Sequence, residues 1–148
     1  MRQSLERERA AFHRAHLAWA SGDLHDFLSL LADDIVYTVN VDGLEVPYAS
    51  SAVGKEDVRW RLELLLDTFE VVTFHMESLT HEAGFSRSTV RGRYIHKATG
   101  EILDVRIRFR AWLKDGHIVR MEEVHDAAYV VAFQRFVKHL ATAAAKRR

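Results

Sequence analysis

Cysteine is absent from the 148 residues, proline occurs once, and the formal charge is zero. No apolar run approaches the roughly 20 residues that a membrane-spanning helix needs. Without thiols there is no thiolate nucleophile, no cysteine-ligated zinc and no iron–sulfur cluster. The balance of 21 Lys and Arg against 21 Asp and Glu argues against nucleic acid or an anionic membrane bound through bulk electrostatics. The chain begins Met1-Arg2-Gln3-Ser4-Leu5-Glu6-Arg7-Glu8-Arg9, charged where a secretory signal turns apolar, so a cytoplasmic location is expected. What is present is 48% hydrophobic and 10% aromatic content. At this length a chain buries roughly two thirds of its unfolded surface without disulfide or metal staples, so one domain over residues 1–148 is expected.

Apolar spacing sets the expected elements. Leu5, Ala11, Phe12, Ala15, His16 and Trp19 recur at helical steps and predict an amphipathic helix from Leu5 to Trp19. Ser21-Gly22-Asp23 closes it, with Gly22 suited to a left-handed helix end and Asp23 to capping a second helix that carries Leu24, Phe27, Leu28 and Leu31. The period then changes. Asp34 to Val41 is rich in β-branched residues and predicts a strand, and Asp42 to Gly54, with the only proline, predicts the longest loop. Lys55 to Phe69 returns to helical spacing through Val58, Leu62, Leu65 and Leu66. Four strands are expected next, Val71 to Ala83, Arg87 to Lys97, Ile102 to Leu113 and His117 to Asp126, as an antiparallel meander. Ala127 to Ala145 predicts a closing helix with Val130, Phe133, Val137 and Leu140 on one side, and the basic Lys146-Arg147-Arg148 after it suits a helix C-terminus. The class is α+β, with helices over one face of a curved, mostly antiparallel sheet.

A helix, Ser21-Gly22-Asp23-Leu24, a second helix, Ala32-Asp33-Asp34 before a strand, and Gly54-Lys55-Glu56 opening a helix follow one another in that order. Strands with Lys114-Asp115-Gly116-His117-Ile118-Val119 and Glu123-Val124-His125-Asp126 complete the series. This order resembles the nuclear transport factor 2-like superfamily, and within it the SnoaL-like polyketide cyclases and ketosteroid isomerase. The resemblance covers nearly the whole chain. It implies a cone-shaped fold with its site between the concave sheet face and the helices, and a homodimer formed through the sheet. Because this fold hosts isomerases, cyclases, epoxide hydrolases, dehydratases and binding modules, activity has to be read from the residues.

Lys114-Asp115-Gly116 predicts a three-residue hairpin loop with Gly116 in the left-handed position. That loop sets Ala111 opposite Val119, Phe109 opposite Met121, Ile107 opposite Glu123 and Val105 opposite His125. Val90, Gly92 and Tyr94 are expected opposite Phe109, Ile107 and Val105. One face then carries Val105, Ile107, Phe109, Ala111, Val119 and Met121, with Glu123 and His125 at its far end, and burial turns it inward. The other carries Arg106, Arg108, Arg110, Arg120 and Glu122. Glu123 becomes a carboxylate in an apolar cavity, where desolvation favours its protonated form and lets it both take and give a proton. Tyr37 and Tyr94 offer hydroxyls, and Trp19, Val39, Leu62, Phe109 and Met121 shape the pocket. The competing structural reading pairs Glu123 with a helix Arg or His and makes His125 a structural histidine.

Carried over residue by residue, the resemblance removes some chemistries. Where ketosteroid isomerase has its tyrosine, its base and its protonated aspartate, this sequence has Ala15, Val39 and a position on or beside Ile107. In the similar limonene epoxide hydrolase a last-strand Asp activates water beside a first-strand Tyr and Asn. Glu123 and Tyr37 match the first two, Val39 replaces the Asn with Asn40 adjacent, and the family's Arg and second Asp fall at Val90 and Gly92. His75 matches the histidine of dehydratases and dehydrochlorinases of this fold, although their partner Asp has no counterpart at Arg14, Ala15 or His16. His13 and His16 lack a carboxylate and make a poor metal site. Arg91, Arg93, Arg106, Arg108, Arg110 and Arg120, interleaved with Asp104, Glu122 and Asp126, read as a solvated or dimer-facing surface laced with ion pairs. Trp112, Ile118 and Val124 on that side favour a dimer.

The expectation is a small-molecule enzyme of isomerase, cyclase or hydrolase type, with Glu123 as general base or acid and Tyr37 and His125 assisting. Trp19, Val39, His75, Tyr94, Phe109 and Met121 contact an apolar substrate, and neither cofactor nor metal is called for. The expected partners are that ligand and a second copy of the chain, with no nucleic acid and no membrane. The alternative is a non-catalytic ligand-binding or dimerisation module on the same fold.

Overall fold

Gly22 fixes how the chain enters its first core layer. In the computed structural model, which describes residues 2–40 and 51–125 together with Val131, Arg135, Lys138 and His139, α1 spans Arg2–Ala20 and α2 spans Leu24–Ser29. The Gly22 amide donates to the Trp19 carbonyl at 3.1 Å and the Asp23 amide to the Ala18 carbonyl at 2.8 Å, the bond pair of a Schellman helix end, with Gly22 at φ 76°. The Asp23 side chain accepts from the Asp26 amide at 2.9 Å and so caps α2. The end of one helix and the start of the next are thus one hydrogen-bonded unit, and it holds the Trp19 backbone.

The remaining elements are β1 (Leu31–Asn40), β2 (Ala52–Val53), α3 (Lys55–Thr68), β3 (Phe69–Glu82), β4 (Phe85–His96), β5 (Ile102–Lys114) and β6 (His117–His125). β1 starts three residues before the expected strand because Leu31 and Ile35, both fully buried, belong to the core. Phe69 leaves the expected helix and opens β3, where it is buried against Tyr94 and His96. The expected C-terminal helix, Ala127 to Ala145, lies outside the described residues apart from helical backbone at Val131, Arg135, Lys138 and His139. Most of the expected loop, Asp42 to Gly54, lies outside them too. Among the described residues no helix is long and apolar enough to cross a membrane.

The strands form one curved mixed sheet in the order β2-β1-β6-β5-β4-β3. β3 to β6 are an antiparallel meander, while β1 runs parallel to β6. β5 shows why one face is covered: Leu103, Val105, Ile107, Phe109, Ala111 and Leu113 are buried, and the intervening Asp104, Arg106, Arg108 and Arg110 are exposed. The inner face packs against Phe12, Ala15 and Trp19 of α1, Phe27 of α2, and Val58 and Leu62 of α3. The fold is α+β.

The β5–β6 register differs from expectation in two places. Lys114 pairs with His117, so the loop is the two-residue Asp115-Gly116 turn, with φ of 53° and 78°, a type I′ geometry whose twist matches the strands. Val119 is then an extra residue between the Leu113–Ile118 and Trp112–Arg120 pairs, a β-bulge. Each change moves the pairing by one residue. Together they set Ala111 opposite Met121, Phe109 opposite Glu123 and Ile107 opposite His125, two residues from the expected partners. Val90, Gly92 and Tyr94 likewise face Ile107, Val105 and Leu103. An even displacement preserves the face, so Glu123 and His125 stay inward. Ile118 does not: it is completely buried, not on the outer surface, because the bulge follows it and Val119 absorbs the change of side.

Candidate functional site

A cavity lies between the concave face of the sheet and the helices. α1 presents Ala15, His16 and Trp19 to it, spaced for one helix face, while α2 adds Phe27 and α3 adds Leu62. The sheet side is made by Tyr37 of β1, Phe74 of β3, Tyr94 of β4 and Ile107 and Phe109 of β5, with Met121, Glu123 and His125 from alternate positions of β6. The space open to the centres of water-sized molecules is about 40 Å³, room for a few waters. Aromatic rings on both walls, Trp19, Phe27, Tyr37 and Phe109 among them, account for the narrowness.

Three polar arrangements break the apolar lining. On β6 the His125 Nε2–H donates to Glu123 Oε2 at 2.9 Å. The imidazole is 1% exposed and the Glu123 side chain 17%, so the carboxylate retains contact with solvent from within the cavity wall. Glu123 Oε1 has no hydrogen-bond partner among the described residues. Across the sheet, Trp19 Nε1–H donates to the Tyr94 hydroxyl at 3.4 Å, and burial pushes the Tyr94 phenol up to about 12. Tyr94 is therefore a neutral phenol at ordinary pH, able to donate its remaining proton.

The third arrangement centres on His16. Its Nδ1–H donates to the Phe12 carbonyl at 2.7 Å, and its Nε2 lies 2.7 Å from Ser88 Oγ. Burial pushes the imidazole down to about 4, so it is neutral at pH 7 and Nε2 accepts the Ser88 hydroxyl proton. The ring stands edge-on to Phe12 and Phe109, at 4.5 and 5.6 Å. This neutral histidine bonds α1 to β4 and forms part of the cavity wall.

Of the residues singled out from the sequence, Trp19, Tyr37, Tyr94, Phe109, Met121, Glu123 and His125 line this one cavity. Val39 does not line it; it stands half-buried beside Glu123 in the parallel β1–β6 pairing. His75 is a correction: it is exposed, opposite Arg91 on the outer face, and its neighbour Phe74 is the residue that faces the cavity. Glu123 pairs with His125 two residues along its own strand and, among the described residues, with no helix side chain. His16, Phe27 and Phe74 were not assigned to the site from sequence. His16 had a signal, since it shares a helical stripe with Phe12, Ala15 and Trp19, and a histidine there needs buried partners.

Among the described residues no group of three or more His, Asp or Glu side chains is placed to hold a metal ion. Glu8, His81 and Ser86 are hydrogen-bonded in series, His81 Nε2 to Glu8 Oε2 at 3.0 Å and His81 Nδ1 to Ser86 Oγ. Ser86 is completely buried, so the series offers no nucleophile to a ligand. Glu8 also accepts from the Gly84 amide at 3.1 Å, so the cluster fastens the start of α1 to the β3–β4 turn.

The NTF2-like architecture recurs in solved structures. An NTF2-like protein of unknown function from Burkholderia pseudomallei matches with a TM-score of 0.75 and 17% identity, over 85% of this chain and 95% of that one. AclR from Streptomyces galilaeus, named a putative hydroxylase, matches at 0.70 and 16%, over 88% and 98%. Wild-type IdmH from Streptomyces antibioticus, named a putative polyketide cyclase, matches at 0.68 and 18%, over 84% and 96%. At these identities the likeness is one of fold. A search of curated protein sequences finds no match. The SnoaL-like domain family matches residues 10–121, from within α1 to Met121 on β6. That span takes in most of the cavity wall, and the chain belongs to the SnoaL-like domain family.

Proposed function

We propose that the chain is a small-molecule enzyme of the isomerase, cyclase or hydrolase type, acting on an apolar ligand in the cavity with Glu123 as the group that takes and returns a proton. The observation that carries this reading is the Glu123–His125 hydrogen bond within a largely aromatic wall. Imidazole engagement of Oε2 fixes the carboxylate rotamer and leaves Oε1 as the oxygen that meets a ligand C–H or a water. The buried His125 ring offsets the cost of an ionised carboxylate beside apolar neighbours. A positioned carboxylate of this kind contributes roughly 10² to 10⁴ in rate. Tyr37, in register with Met121 two residues before Glu123, supplies a hydroxyl for a ligand oxygen. The name carried by IdmH, a putative polyketide cyclase, supports the same broad class.

One observation favours a second reading, a non-catalytic dimerisation or binding module: the space open to the centres of water-sized molecules is about 40 Å³, room for a few waters. Turnover of a panel of apolar ketones, enones and epoxides separates the two. Wild type should convert a member of the panel, and Glu123→Gln should lower kcat by about 10²-fold or more with thermal stability retained. Turnover persisting in Glu123→Gln within a few-fold removes the acid–base role. A ligand bound equally by both proteins and converted by neither establishes the binding module.

A further inference from the structure

Trp19 borders two spaces. Besides the cavity it lines a concavity beyond the end of α1, where the space open to the centres of water-sized molecules is about 310 Å³ against about 40 Å³ in the cavity. The same elements line both, one step further along each. On α3 Leu62 faces the cavity and Leu66, four residues on, faces the concavity, and on α2 Phe27 and Leu24 divide in the same way. On the sheet, Tyr94 of the cavity is in register with Val71 and stands 6.4 Å, ring to ring, from Phe69, and both of these line the concavity. Among the described residues Trp19 is common to the two linings and no other is. The indole is therefore the partition between neighbouring spaces.

The backbone of this partition is fixed, while its ring is lightly held. The Trp19 carbonyl accepts the Gly22 amide at 3.1 Å within the helix end. The indole has one hydrogen bond, to the Tyr94 hydroxyl at 3.4 Å, longer than the usual limit of about 3.2 Å for N–H···O. Rotation about the side-chain torsions moves the ring and leaves the α1–α2 junction intact. The concavity itself is apolar where it faces a ligand. Ser21 Oγ donates to the Ala18 carbonyl at 3.1 Å and Lys97 Nζ to the Leu66 carbonyl at 2.7 Å, whereas Leu24, Leu66 and Val71 are half-buried with nothing polar to offer.

We propose that cavity and concavity are two compartments of one ligand site, with Trp19 as the gate between them. The ligand is an elongated apolar molecule whose carbonyl head meets Glu123 and whose hydrocarbon tail lies against Leu24, Leu66 and Val71. This rests on the cavity being the ligand site and adds the shape of the ligand. Small-molecule sites generally measure about 300–1,000 Å³, a size reached once the outer compartment is joined. Burial of the tail supplies the free energy that turns the indole aside.

Calorimetric titration with methyl ketones of increasing length, from butanone to 2-nonanone, tests it. Each buried methylene is worth up to roughly fourfold in affinity, and the outer compartment is open on one side, so 2-nonanone should bind roughly 10²-fold tighter than butanone. Ala20→Trp, an exposed position that lines the outer compartment, should lower that ratio at least tenfold. Leu17→Ala, also exposed on α1 but in neither lining, should leave the ratio at the wild-type value. In a protein carrying Trp60→Phe and Trp112→Phe, Trp19 is the sole tryptophan. Its emission should move to longer wavelength with 2-nonanone and stay in place with butanone. The proposal is overturned by equal affinity along the series, by an undiminished ratio in Ala20→Trp, by a Leu17→Ala loss as large as that of Ala20→Trp, or by unchanged Trp19 emission at saturation with 2-nonanone. Length selectivity without turnover supports the outer compartment and removes the enzyme reading, and turnover without length selectivity does the reverse.

Discussion

Lowering the pH from 7 to 5 should cost the folded chain about 2 kcal/mol through His16 alone. In the unfolded chain this imidazole protonates as the pH falls through 6.5, whereas burial in the folded chain holds it neutral down to about 4. Between those values the unfolded state binds more protons. Stability that is fully present above 6.5 is therefore lost progressively on the way to about 4, and the loss levels off below it. The whole interval is worth about 3 kcal/mol, of which about 2 has gone by pH 5. The cause is burial: the ring is enclosed by aromatic side chains with Nε2 facing Ser88, and this outweighs the Nδ1–H bond to the Phe12 carbonyl, which favours the charged form. Urea unfolding at pH 7 and pH 5, followed by tryptophan fluorescence, measures the loss in wild type and in His16→Gln, whose amide cannot titrate. The other histidines contribute alike to both proteins, so the difference between the two losses belongs to His16. The variant should be less stable at pH 7 yet lose about 2 kcal/mol less on acidification. An equal loss in both proteins would refute the assignment of a buried neutral imidazole at this position.

Gly22→Ala should destabilise the fold by about 1 kcal/mol, read as a lower urea midpoint, because φ is 76° and an added Cβ meets nothing within 4 Å, leaving only the left-handed backbone cost. No change in midpoint would mean that the α1–α2 junction relaxes freely. Trp19→Phe shortens a ring that narrows the cavity and deletes its 3.4 Å bond to Tyr94. Benzene should stabilise this variant against heat more than it stabilises wild type, and equal thermal shifts would show that other walls set the cavity size.

The placement of Glu123 was legible from sequence because strand faces depend only on parity. Reading Lys114-Asp115-Gly116 as a three-residue loop misplaced the pairing by one residue, and leaving out the Val119 bulge misplaced it by another. Period two made the sum harmless for Glu123 and His125, whereas the two residues at the changes were misassigned: Ile118, expected outside, is completely buried, and Val119, expected inside, is the half-buried bulge residue. The Asp115-Gly116 dipeptide is a recognisable two-residue turn signal. The bulge has no comparable local signature, since it arises where β6 also meets β1: the Ile118 amide donates to the Leu30 carbonyl at 2.8 Å, and the β1–β6 register slips between Leu31 and Val36. His75 was misplaced for a different reason: it was assigned by resemblance, and on β3, whose alternation is broken by bulges at Val72 and Glu77, it is Phe74 that faces inward. His16 sat in plain view on an apolar helix stripe, but its partners, Phe12 four residues back and Ser88 on β4, belong to two different elements. What a sequence exposes most readily is the side of an element on which a residue lies. Which polar atoms meet across elements is set by packing between segments far apart in the chain, and in this cavity such packing decides that His16 is neutral, whereas the Glu123–His125 bond joins two positions of one strand.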